Sequence, residues 1–217
     1  HAGDPGLRRL SAAVAHEVGN PLVGIRTWAS MLRTRFDDPE FRAQFAERVE
    51  ADTRRIEDVV ETLARLGALD APAHERVDVS SMIADLLGRQ RAAIRERRLV
   101  VLEELDRNQP WALGDADQLR FAFGFLLDQV LGWIPERGDL YVATRHRPAA
   151  LAGRPALLVE LRLRGAADGL APSDHALAVA SLDAIVRAHG GRLTVATGVA
   201  GDTSLAIELP AAAPASG

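Results

Sequence analysis

The chain has 217 residues, 47% hydrophobic and 26% charged, with a formal net charge of -4. This globular composition is long enough for one or two domains with a sizeable core, and it gives no global attraction to nucleic acid. Cysteine is absent and all 26 basic residues are arginine, which excludes disulfides, thiolate metal sites, a cysteine nucleophile, Schiff-base chemistry and a phosphate-loop lysine. No run of about 18 uninterrupted apolar residues could cross a membrane, and the start lacks a basic-then-apolar secretion signal, so a cytoplasmic location with no membrane contact by this segment is expected. His1-Ala2-Gly3-Asp4-Pro5 reads as a ragged beginning, as it would where an upstream segment had been removed.

The first predicted element is a long helix from about Leu7 to Phe36. Apolar residues recur at Leu7, Leu10, Val14, Val18, Pro21, Ile25, Trp28 and Leu32, in alternating steps of three and four, as a helix buried along one seam requires. Within it stands Ala15-His16-Glu17-Val18-Gly19-Asn20-Pro21-Leu22. His16 lies two residues from Val14 and two from Val18, which at about 3.6 residues per turn points it roughly opposite the buried stripe. Asn20 shares its face and Glu17 sits beside it. Pro21 removes the bond to the carbonyl of Glu17 and should bend the helix next to the histidine, at a cost of up to ~3 kcal/mol that needs a compensating reason. A lone helical histidine is ordinarily a solvated surface group. This one shares two turns with an acid, an amide and a proline.

His-Glu-x-x-Asn-Pro-Leu, followed by more apolar helix and then a second helix, closely resembles the H box of two-component sensor histidine kinases. The resemblance implies that His16 accepts a phosphoryl group, that Glu17 acts as base, and that Asn20 orients a water for dephosphorylating a partner response regulator. Gly19 departs from the pattern, because the family often carries a polar or basic residue there; it weakens the helix locally without removing a reactive group.

Asp37-Asp38-Pro39-Glu40 marks a turn and a new helix start with acids in its first turn. The second helix, from about Phe41 to Leu66, carries the stripe Phe45, Val49, Asp52, Ile56, Val59, Leu63 and Leu66. Two long helices on a short loop make an antiparallel hairpin, and its apolar surface is too wide for one neighbour. Dimerisation into a four-helix bundle is the economical solution, with packing on the chain's own second domain as the alternative. Arg48, Glu50, Arg54, Arg55 and Glu57 read as a solvated face.

After a linker around Pro72, Val77-Asp78-Val79-Ser80 is predicted to start a helix running to about Arg97, capped by Ser80 or Asp78. Arg89, Arg91, Arg95, Arg97 and Arg98, interleaved with Glu96 and without aromatic partners, read as a solvated helix face rather than a nucleic-acid stripe. Strands are predicted at Leu99–Glu103, Tyr141–Thr144, Leu157–Leu163, Leu193–Thr197 and Ser204–Leu209. Further helices are predicted from Gly114-Asp115 to Leu131 and from Ala176 to Ala188, the latter stopped by Gly190-Gly191. Helices segregated from a mostly antiparallel or mixed sheet make a two-layer sandwich.

This second part resembles the family's catalytic ATP-binding domain, with the nucleotide-holding groups changed. The resemblance implies two metal-binding asparagines four residues apart on the helix after Gly114-Asp115-x-x-Gln118-Leu119. Phe125 and Gln129 occupy those positions: the first has no oxygen, and the second moves its oxygen by about one methylene, against magnesium's demand for octahedral ligands at roughly 2.0–2.1 Å. The adenine-binding Asp-x-Gly-x-Gly is represented by Gly165-Ala166-Ala167-Asp168-Gly169, so Gly165 replaces the acid; a register slip that used Asp168 would put Gly169 out of place. The phosphate-approach glycines are replaced by Ala176 and Ala178, whose Cβ atoms block close approach. Leu170 to His175 is too short for the family's ATP lid. By contrast Ile185-Val186-Arg187-Ala188-His189-Gly190-Gly191-Arg192-Leu193 is intact, and His189 is read as a framework residue.

The expected fold is therefore α+β. Residues 1–69 form a helical hairpin that makes a dimeric four-helix bundle, 70–76 a linker, 77–210 a degenerate α/β two-layer sandwich of the histidine-kinase ATPase type, and 211–217 a disordered tail. The expected function is two-component signalling in which His16 carries a phosphoryl group and exchanges it with a response-regulator receiver aspartate. No cofactor is expected, neither ATP nor magnesium being held by this chain, and autokinase activity is not expected. The expected partners are a second copy of the chain, a receiver domain and an upstream histidine kinase, with no nucleic acid. Two alternatives stand beside this: an active ATP-dependent sensor kinase with divergent motifs, and a non-catalytic dimeric scaffold that binds a response regulator without transfer.

Overall fold

In the computed structural model the chain divides into two compact units, His1–Leu69 and Asp70–Gly217, and residues 5–164, 176–198 and 202–213 are described. The first unit is a helical hairpin of α1 (Pro5–Arg35) and α2 (Pro39–Gly67). α1 continues through Pro21, whose ring is buried on the predicted seam.

Local chemistry closes the turn between the helices. Pro39 opens α2 with a pre-set φ and no N–H to satisfy. Asp38 caps the helix, accepting from the N–H groups of Glu40 at 3.0 Å and Phe41 at 3.2 Å, while its other oxygen takes Arg35 Nη2 at 2.6 Å. The Arg35 guanidinium first, then the Phe41 N–H, hold the Asp38 carboxyl below its ordinary value. Phe41 is 0% exposed. Its ring stacks on Trp28 at 5.4 Å, approaches Phe45 at 6.3 Å and lies 4.8 Å beneath the Arg35 guanidinium. Burying such a ring contributes about 1.5–3 kcal/mol, so one residue anchors the hairpin end. Further along, the Asp52 carboxylate of α2 rests against Gly24 of α1, its Oδ2 only 2.5 Å from where a Cβ at residue 24 would lie. Much apolar surface stays uncovered: Leu7, Leu22, Val23, Phe36 and Val60 are 51–62% exposed.

The second unit runs β1 (Glu75–Asp78), α3 (Val79–Arg89), α4 (Arg91–Glu96), β2 (Val100–Glu104), β3 (Trp111–Gly114), α5 (Ala116–Trp133), β4 (Asp139–Leu151), β5 (Arg154–Arg164), α6 (Ala176–Ala188), β6 (Arg192–Thr197) and β7 (Thr203–Pro210). The main sheet has the order β2-β4-β5-β7-β6, with β2 parallel to β4 and the remaining pairs antiparallel; β1 and β3 form a separate antiparallel ribbon. Strand periodicity explains the core. Leu140, Val142 and Thr144 lie opposite Leu163, Leu161 and Val159, which lie opposite Thr203, Leu205 and Ile207, and all nine are buried. Met82, Ile83 and Leu87 of α3, Leu119, Phe123 and Leu126 of α5, and Leu182, Ile185 and Val186 of α6 supply the buried helical layer. This is the expected two-layer α/β sandwich following a helical hairpin.

Several local expectations are corrected. The helix predicted from Val77 begins at Val79, because Glu75 to Asp78 pair with Gly114 to Trp111, a non-local partner invisible in the local pattern. Asp78 is the cap, accepting from Ser81 N at 2.8 Å. Ser80 is no cap: it is buried, its hydroxyl 2.7 Å from Thr144 Oγ1, which also accepts from Asp106 N at 2.7 Å. The predicted single helix to Arg97 breaks at Gln90 into α3 and α4. Residues 70–76, expected as a linker, are tied to the start of α5: Asp70 O accepts from Gln118 Nε2 at 3.0 Å and Ala73 N donates to Asp115 Oδ2 at 3.2 Å. Past Pro210, where disorder was expected, Ala211 N donates to Pro155 O and Ala212 N to Trp111 O, both at 3.0 Å; residues 214–217 lie outside the described residues. β4 and β5 are much longer than predicted and meet in a two-residue turn, Ala152 and Gly153, both at positive φ. In the arginine cluster, Arg97 is half-buried, and its guanidinium donates to the carbonyls of Leu131 and Ile134, the orphan acceptors at the end of α5.

Candidate functional site

His16 lies near the middle of α1, half-buried, with Val14 and Val18 half-buried beside it and Pro21 fully buried one turn on. Asn20 Nδ2 is 3.1 Å from His16 Nε2, across one helical turn. The sequence-predicted histidine and amide are thus brought together. Glu17 is half-buried next to them. A Cβ at Gly19 would meet nothing within 4 Å, so the polar residue common in the resembling family would fit there, and the glycine is not imposed by space.

The second unit treats its named positions differently. Phe125 and Gln129 are both half-exposed on α5, and Phe125 stacks on Phe121, with ring centroids 6.2 Å apart and planes inclined by 10°. The residue between them in the motif that sequence reasoning passed over is Asp128. It accepts from Gln90 Nε2, and burial pushes its carboxyl up, with the Gln90 bond pulling the other way. Its pairing with a glutamine 38 residues away left no local signal. Ala176 is the first residue of α6, and Ala178 is buried within the first turn. Gly165 and Gly169 lie outside the described residues, as does the segment Leu170 to His175.

A buried histidine brackets the framework around these positions. His189 is 2% exposed; its Nδ1 donates to Ile185 O at 2.7 Å and its Nε2 accepts from Asp115 N at 3.1 Å. Gly114 permits that contact, since a Cβ there would fall 2.7 Å from His189 Cδ2 and 2.8 Å from Leu119 Cδ1. Asp115 in turn caps α5, accepting from Asp117 N at 3.1 Å and Gln118 N at 3.0 Å. The Gln118 N–H first, then those of Ala73 and Asp117, hold its carboxyl below the ordinary value.

A polar cluster on the other face of the sheet was not foreseen. Glu104 accepts from Tyr141 Oη at 2.5 Å and from Arg145 Nη2 at 2.7 Å, while Glu160 takes Arg162 Nε at 2.7 Å. The Tyr141 hydroxyl first, then Arg145, draw Glu104 below its ordinary value, and Glu104 pushes Tyr141 up. The signal that could have found it is period two on three strands, because Tyr141 lies opposite Leu102 and Arg162 in register. Next to it, Val100, Leu102, Tyr141, Arg162 and Arg164 line a hollow of about 340 Å³.

Residues 7–72 match the His Kinase A (phospho-acceptor) domain. The sensor-like histidine kinase SenX3 of Mycolicibacterium smegmatis is 27% identical over 152 residues, covering 68% of this chain and 39% of that protein. The probable sensor histidine kinase TcrY of Mycobacterium tuberculosis is 27% identical over 226 aligned positions, covering 96% of this chain and 47% of that protein. The chain thus spans about two fifths to a half of the length of these curated relatives. Among solved structures, histidine kinase ThkA in complex with response regulator protein TrrA matches with a TM-score of 0.67 at 15% identity, covering 93% of this chain and 61% of that one. Acinetobacter baumannii histidine kinase AdeS matches with a TM-score of 0.60 at 16% identity, covering 91% and 98%. At these identities the structures speak for the fold. No helix among the described residues is long and apolar enough to cross a membrane.

Proposed function

We propose, for a chain of the two-component sensor histidine kinase family, that His16 carries a phosphoryl group and exchanges it with the receiver aspartate of a response regulator, while the sandwich has given up ATP. One contrast carries the reading. An imidazole and an amide stand together on one face of α1, whereas the α5 position where the resemblance implies a metal-binding amide holds a phenylalanine stacked on a second one. A stacked aromatic pair offers magnesium no oxygen, and Ala178 fills with a buried Cβ the place where a glycine would admit phosphate. These residues do not fit a magnesium nucleotide.

Phosphoryl transfer depends on positioning and charge stabilisation more than on covalent machinery, so an accessible imidazole on a rigid helix suffices once a receiver brings its own aspartate and divalent cation. Asn20, beside the ring, can orient a water for the hydrolysis of a receiver's aspartyl phosphate. ThkA, which shares this fold, was solved in complex with a response regulator, and that supports a receiver as the partner here. The uncovered Leu7, Leu22, Val23, Phe36 and Val60 support a second copy of the chain as the other. Light scattering should report a dimer at micromolar concentration, and a monomer would remove that part of the reading.

The direct test is incubation with phosphorylated receivers, scored for acid-labile phosphate on His16. Transfer to parent and none to His16→Gln is the expected result. Asp128, a carboxylate adjacent to Gln129, favours the rival of an ATP-dependent kinase with divergent motifs, although it is turned to Gln90. Isothermal titration with an ATP analogue separates the two: a dissociation constant below about 1 mM, equivalent to roughly -4 kcal/mol, supports the rival.

A further inference from the structure

The imidazole nitrogen that faces Asn20 has an exposed side-chain amide against it. Asn20 Nδ2 approaches His16 Nε2 at 3.1 Å, and an amide nitrogen has two hydrogens and no lone pair to share, so it is the donor. The ring nitrogen that accepts must be the unprotonated one, which leaves the ring proton on Nδ1. We infer that Asn20 is a latch on His16: it selects the Nδ1–H tautomer, which makes Nε2 the nucleophilic nitrogen, and it covers that nitrogen's lone pair until a phosphoryl donor engages. The inference rests on the reading of His16 as a phosphoryl carrier.

Asn20 is a positioning residue in this scheme, with two opposed effects. By fixing the proton on Nδ1 it guarantees that the electron pair is on Nε2. By donating to that pair it forbids attack while the bond lasts. Asn20 is exposed and on the same helix, so a χ rotation frees the pair without any backbone movement. In the transfer itself the Nε2 lone pair forms the N–P bond, and the P–O bond to the receiver's aspartate breaks with its electron pair staying on the carboxylate. The Nδ1 proton stays on the ring or passes to water. Once phosphorylated, Nε2 has no lone pair to accept with, so the Asn20 amide is released and its hydrogens are free for a phosphoryl oxygen. One side chain therefore changes partner according to whether His16 is loaded.

The test uses the full chain with ¹⁵N-labelled histidine, and His16→Gln identifies the His16 signals among those of the six histidines. Long-range proton–nitrogen correlation at neutral pH should give a protonated Nδ1 and an unprotonated Nε2 in the parent. Asn20→Asp is isosteric but replaces the donor by an acceptor, and should move the proton to Nε2. Phosphorylation of His16 by the small donor phosphoramidate should then slow tenfold or more, and Asn20→Ala should give a mixture of tautomers. A parent with the proton on Nε2, or a parent-like tautomer in Asn20→Asp, overturns the latch. Because phosphoramidate needs no receiver, failure of every receiver to load His16 while the tautomer still reverses would sink the proposed partner and leave the latch standing.

Discussion

The hairpin and the sandwich differ in where their unused bonding capacity lies. In the hairpin the packing is unfinished: Phe41 is fully enclosed, yet Leu7, Leu22, Val23, Phe36 and Val60 stay exposed, and half-buried His16 meets an exposed amide across one turn. In the sandwich a set of polar groups is spent inward, although Val100 and Leu102 stay 59% and 57% exposed. His189, Ser80, Thr144, Gln118 and Arg97 each bond to another part of the same unit. The difference separates reactivity from mere presence of a reactive residue type. A buried histidine with both ring nitrogens committed to the backbone is a structural bracket, whereas one on a partly exposed helix face can still do chemistry.

The most severe way to break the comparison is to remove the imidazole that has capacity left. His16→Gln should abolish acid-labile phosphorylation altogether while leaving the circular dichroism spectrum and the melting temperature of the chain unchanged; residual phosphate above about 1% of the parent would place the acceptor elsewhere. Next in size is the hairpin's large enclosed ring. Phe41→Ala removes a fully buried ring and should cost about 3–5 kcal/mol of hairpin stability, seen as early melting of helical signal in thermal denaturation. A loss under about 1 kcal/mol would mean that the turn is held by the Asp38 cap alone.

In the sandwich, Gly114→Ala would push a Cβ to 2.7 Å from the His189 ring. Overpacking of this kind costs about 1–3 kcal/mol, and urea unfolding followed by tryptophan fluorescence would register it. No change would show that the bracket has slack. The smallest expected effect is on acid stability. Backbone N–H groups hold the Asp115 carboxyl below its ordinary value, so the folded chain keeps it charged where the unfolded chain, at about 3.9, has taken up a proton. That stabilisation is complete above the unfolded value and is lost as pH falls through the folded one. Asp115→Asn retains a cap and should flatten the fall in urea midpoint as pH drops below the unfolded value of about 3.9, and an unchanged slope would assign the acid sensitivity to another carboxylate.

Much of this was legible from sequence, and the misses share a cause. α1, α2 and α6 matched their predicted spans within a few residues, because apolar period, proline and glycine signals all act locally. His16 and Asn20 were read together because a helix makes i and i+4 neighbours by geometry alone. What escaped was set by partners far along the chain. β3 exists because it pairs with β1, Ser80 turns inward to reach Thr144, and Arg97 leaves its neighbours to close the end of α5. The turn at Ala152 and Gly153 escaped because an alanine at positive φ carries no Asn-Gly signature. At the candidate site, sequence supplied the residue types, but not which ring nitrogen Asn20 would take, nor that Asp128 would turn to Gln90.

The His189 bracket spans from the carbonyl of Ile185 to the amide of Asp115 with protein atoms at both ends. No occupant of the neighbouring surface completes it, so the joint between α6 and the start of α5 has the same strength whether that surface is filled or empty. A sandwich braced in this way draws the stiffness of that joint from its own backbone, and the surface beside it is free to serve recognition rather than support.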